Sequence, residues 1–150
     1  ASDWSSDVCS SDLTHKDVTA FIEIKSCTVD FHGEKLVFQR VHEQLKHVAA
    51  QCYLISFSVP FIRYCRQLGW PQVGVVLENW ECKDDPLIKA INPDCIFCAL
   101  ESLPQNGRID IANTLLVIYE IDKPSVAKEL LKRGANLIET FDIGTMLEAL

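Results

Sequence analysis

The stretch Ala20-Phe21-Ile22-Glu23-Ile24-Lys25-Ser26, AFIEIKS, reads as a β-strand with a carboxylate and an ammonium in it. Strand alternation sends Phe21, Glu23 and Lys25 to one face and Ile22 and Ile24 to the other. A buried carboxylate is costly unless it is paired or bound to a metal. The two charges are therefore expected to be buried and to form either a structural ion pair across one pleat or part of a site. Spacing alone leaves both readings open.

Five further apolar runs follow, so the strand candidates are 18–25, 52–58, 72–77, 94–99, 115–121 and 136–140. Most are near-continuous runs of Val, Ile, Leu, Phe and Tyr, the pattern of parallel strands buried on both faces. Helix candidates lie between them. Segment 34–49 places Val37, Val41, Leu45 and Val48 on one face. Segments 60–68 and 86–91 follow the second and third strands, 124–133 runs from Pro124 to a stop at Gly134, and 143–150 closes the chain. Segment 101–113, ESLPQNGRIDIAN, is a loop with one helical turn at most.

Six β/α units with short links predict a parallel α/β fold. No Gly-rich phosphate or dinucleotide loop follows any strand. A (β/α)8 barrel runs to about 250 residues, so these units fit an incomplete TIM barrel, roughly its last three quarters, with the first strands missing. In such a barrel Ile22 and Ile24 would meet the helices. Glu23 and Lys25 would enter the interior at the C-terminal end of the strand, where barrel enzymes keep their sites.

The first thirteen residues, ASDWSSDVCSSDL, have no periodicity and no Lys or Arg. Ser2 to Leu13 match the translation of a common short-read sequencing adapter, residue for residue, and a disordered tail is the plainer alternative. Residues 1–13 are therefore expected to be foreign, and 14–150 to be the C-terminal part of a catalytic domain cut at the join. Removing the thirteen leaves 137 residues and, with Asp3, Asp7 and Asp12 gone, takes the net charge from −7 to −4.

That acidity argues against a nucleic-acid or anionic-membrane partner, though a divalent cation could still bring a phosphate to the chain. No run is long and apolar enough for a membrane span. Seven irregularly spaced cysteines point to reduced thiols in a cytoplasmic protein and not to a disulfide framework.

From Val18 onward the order of motifs resembles the glycerophosphodiester phosphodiesterase family, a metal-dependent TIM-barrel group. FIEIKS (21–26) is similar to that family's EIK/ELK strand. YLISFS (53–58) is similar to the strand after it, and VIYEIDKPSVAKELLKRGANLIET (117–140) to the closing strand–helix–strand. The resemblance implies hydrolysis of glycerophosphodiesters, small molecules such as glycerophosphocholine, to glycerol 3-phosphate and an alcohol.

It also implies that Glu23 ligates a divalent cation, Mg²⁺ or Ca²⁺, and that Lys25 sits beside the phosphate. Ser56 and Phe57 would rim the pocket and Tyr119 would line its glycerol side. Carboxylate oxygens suit such hard cations. A Lewis acid and an ammonium suit charge developing on a phosphoryl group. Glu120 stands where the family has threonine, and ETFDI (139–143) replaces its TD.P ending.

In the family, the acid/base histidines and two further metal carboxylates lie in HRG, HD and ELD-type motifs. None of these motifs occurs here, and His15, His32, His42 and His47 lie outside any such motif. His32 is expected in a loop above the site, His42 and His47 on a solvated helix. The fragment alone is expected to be inactive. A non-catalytic barrel relative acting as a binding domain is the alternative, and an unrelated α/β protein with a structural Glu23–Lys25 pair is another.

Cys95 and Cys98 form a CxxC inside a strand, where the two thiols point to opposite faces, so both read as core. Glu78 and Trp80 fall at the rim in what reads as a solvated loop. Asp84 and Asp85 precede Pro86 as helix-capping residues.

Overall fold

Short apolar strands that alternate with helices, each too short to stand alone, gain stability by sharing one sheet. A computed structural model describes residues 17–150; the adapter-like segment and His15 lie outside the described residues. Six strands run in the order β1 Ala20–Glu23, β2 Cys52–Ser56, β3 Gln72–Val76, β4 Cys95–Ala99, β5 Leu115–Tyr119 and β6 Leu137–Ile138. They form one sheet in sequential order, and every neighbouring pair is parallel. This is a partial TIM barrel.

The sheet curls. Phe21 on β1 and Phe97 on β4 have ring centroids 5.2 Å apart. In a flat sheet three strand spacings would separate them by about 14 Å. Phe21 also touches Tyr53 on β2, at 4.8 Å. These rings belong to an inner cluster with Ile55, Val76, Cys95 and Val117. The alternate residues Leu54, Val73, Val75, Ile96, Cys98, Leu116 and Ile118 form the larger core under the helices. Ile22 and Ile24 join that outer core, as alternation predicts.

Gly74 is fixed by the curl. A Cβ there would lie 2.3 Å from Cys95 Sγ and 2.9 Å from Ile55 Cγ2, so the inner face has no room for a side chain at this point.

The helices begin and end where their boundary residues direct. In α3 (Val59–Gln67) Ser58 Oγ accepts from the Phe61 N–H, and Phe61, Ile62 and Cys65 are fully buried. In α4 (Pro86–Ile91) Asp85 Oδ1 accepts from Leu87 N–H at 2.7 Å, and Asn92 at φ 50° ends the helix. Asp84 is not the cap. It binds Lys83 and Lys89, and these two ammoniums hold its carboxyl down at about 2. Helix α5 (Pro124–Arg133) matches its expected bounds and stops at Gly134, φ 122°. Helix α6 (Ile143–Ala149) is capped by Asp142.

Several expected boundaries move. Segment 18–25 yields a strand only over Ala20–Glu23, because α1 (Ser26–His32) begins directly after Lys25. Helix α2 (Glu34–Leu45) is shorter than 34–49, and a separate 3-10 turn covers Ala49–Gln51. Segment 136–140 pairs only over Leu137–Ile138. His32 ends a helix instead of lying in a loop.

No helix joins β4 to β5. After one 3-10 turn, Leu100–Ser102, the chain crosses the outer layer as a loop. Arg133 holds it by donating to the carbonyls of Pro104 and Gly107, and Ile109 plugs the core at 1% exposure. Among the described residues no helix is long and apolar enough to cross a membrane.

Candidate functional site

Inward-facing positions at the C-terminal ends of the strands define a mouth. Glu23 ends β1 and shares the inward parity of Phe21. Tyr119 ends β5 and packs on the inner cluster. Glu139 follows β6, its N–H donating to the Ile118 carbonyl at 2.9 Å. Phe57, just past β2, is 38% exposed.

Lys25 Nζ donates to Glu23 Oε2 at 2.8 Å, so the predicted pair forms. It is not buried: the side chains are 66% and 31% exposed. The expectation of two buried charges is thus corrected. The strand stops at Glu23, β1 is an edge of the sheet, and Lys25 stands at the start of α1 in open solvent. An ion pair this exposed contributes at most about 1 kcal/mol to stability, so the fold does not need it.

Electrostatics link the far ends of the sheet. Glu139 is exposed, yet partial desolvation pushes its carboxyl up, and the charges of Glu120 and Glu23 push it further, while Lys25 opposes them. Burial likewise raises the Tyr119 phenol, with Glu101, Glu120 and Glu23 among the charges that add to it. Glu120 and Glu139 complete an acidic rim that the sequence reading did not assign. Glu120 holds a left-handed φ of 61°. Such a backbone is strained for a residue with a side chain and recurs at functional positions. Just beyond it, Ile121 N–H reaches the Glu139 carbonyl at 3.0 Å. No local signal marks this set, because the strands that bring these residues together are far apart in the chain.

Ser56 is not on the rim. It is fully buried, donates to the Ile24 carbonyl at 2.6 Å and accepts from Ser58 N–H at 3.0 Å. Its hydroxyl stitches the ends of β1 and β2 together. Glu78 is exposed, as a solvated loop requires, but Trp80 opens a 3-10 turn over Trp80–Asp84, packs partly buried against the outer core and takes the Lys83 ammonium over its ring at 5.3 Å. Cys95 and Cys98 fall in the inner and outer cores respectively. Burial is the main force lifting their thiols to about 12 and about 11, which leaves both inert as nucleophiles or ligands. His42 stacks on Phe38, ring centroids 5.9 Å apart, well away from the mouth.

A hard divalent cation takes six or more oxygens. Among the described residues no three His, Cys, Asp or Glu side chains converge as a cage, and one Glu23 oxygen is already held by Lys25. The described residues do not by themselves fit a complete divalent-cation site.

Fold and mouth together define a parallel β/α barrel segment with an acidic rim and one ammonium. No protein-family profile and no curated protein sequence matches the chain. Among solved structures, the fold is similar to that of a glycerophosphodiester phosphodiesterase from Parabacteroides distasonis. The TM-score is 0.66 at 14% sequence identity, over 89% of this chain and 57% of that one. The chain thus spans little more than half the length of that structure, and at this identity the likeness is one of fold.

Proposed function

We propose that this chain is part of a phosphodiesterase that hydrolyses glycerophosphodiesters to glycerol 3-phosphate and an alcohol, with 14–150 supplying the C-terminal β/α units of its barrel. The observation that carries the reading is the placement of Glu23 and Lys25. They are paired at the C-terminal end of a barrel strand, within a fold similar to that of a known glycerophosphodiester phosphodiesterase.

Barrel chemistry takes place at that end of the strands. Lys25 is exposed and held by a weak pair, so its ammonium can turn to a phosphate oxygen as negative charge develops there. Tyr119 and Phe57 offer apolar surface to the glycerol part. Glu23 would give one oxygen to Mg²⁺ or Ca²⁺. The other donors, and the histidines that move protons, would come from β/α units other than these six.

The test is release of glycerol 3-phosphate from glycerophosphocholine. This chain alone should show none above its Glu23→Ala variant. A longer protein that closes the barrel around it should turn over and lose that turnover on the same substitution. Turnover by the chain alone above that control would refute the division of labour.

A second reading is favoured by the exposure of Lys25, since in a non-catalytic barrel relative acting as a binding domain its ammonium could hold a phosphate without chemistry. In that case a closed-barrel protein would bind glycerol phosphates without cleaving the diester.

A further inference from the structure

We draw no further inference here: the strongest candidate, the exposed apolar stripe of Ile143 and Leu147 on α6 with Leu150 just past its end, carries nothing because nothing in the structure shows what covers it.

Discussion

At the N-terminal ends of the strands, Asp94 and Asn136 each precede a strand and bind the start of the strand before it. Asp94 Oδ2 accepts from Val73 N–H at 2.9 Å, and Asp94 N–H donates to the Val73 carbonyl at 2.8 Å. Asn136 repeats the device two units later. Its Oδ1 accepts from Leu116 N–H and its N–H donates to the Leu116 carbonyl, both at 2.8 Å. Arg66 adds a 2.8 Å bond to Asp94, and Trp70 Nε1 donates to the Cys52 carbonyl at 3.0 Å. At the C-terminal ends, by contrast, Glu23 and Lys25 hold each other in solvent and Glu139 is crowded by like charge. One end spends its polar groups on the backbone. At the other, Ser56 bridges backbone groups but the charged side chains are left available, the division expected between the stability face and the reactive face of a barrel.

The largest effect should come from the core that both ends share. Phe61→Ala empties a fully buried site and should cost about 3–5 kcal/mol in urea denaturation. At the N-terminal end, Asp94→Ala strands the Val73 N–H and leaves Arg66 only its carbonyl partners at Pro71 and Asn92, an expected loss of about 1–3 kcal/mol. Asp94→Asn keeps the acceptor and should recover most of it. Equal losses for the two Asp94 variants would show that charge, and not backbone bracketing, matters there.

The mouth should behave in the opposite way. Glu23→Gln and Lys25→Met should each change stability by less than about 1 kcal/mol, because their pair is exposed. A loss of 2 kcal/mol or more would erase the distinction between the two ends.

How much of this was legible beforehand follows from where each signal resides. Strand β4 is buried along its whole length, and a strand so placed must read as a continuous apolar run. Pro86, Pro124 and Gly134 announce helix limits through backbone chemistry alone. Helix α1, SCTVDFH, is built from weak helix formers. Tertiary context sets it, with Val29 as its one buried residue and Gly33 at φ 79° as its stop. The Asp94 and Asn136 brackets join residues about a β/α unit apart, so no local pattern reveals them. Phe21, Glu23 and Lys25 sort to one face by alternation, but exposure depends on which strands lie beside them. That is why the pair was legible and its burial was not.

The smallest effect is one of pH. Folding raises the Glu139 carboxyl above its ordinary value of 4.5, so over that interval the folded chain holds more protons than the unfolded one. Stability should therefore be fully present below about pH 4.5 and decline as pH rises through the raised value. Melting temperatures of Glu139→Gln against the parent, taken across that window, should show a flatter profile for the variant. Identical slopes would mean that Glu139 does not feel Glu120 and Glu23 across the mouth.

In the proposed function Glu23 and Lys25 are working groups whose ion pair the fold does not need. The most direct measurement compares glycerophosphocholine hydrolysis with the urea midpoint, for a closed-barrel protein carrying this chain and for its Glu23→Gln variant. The account predicts a fall in turnover of at least about 100-fold with the midpoint unchanged. Full turnover in the variant, or a midpoint that collapses along with the activity, would contradict it.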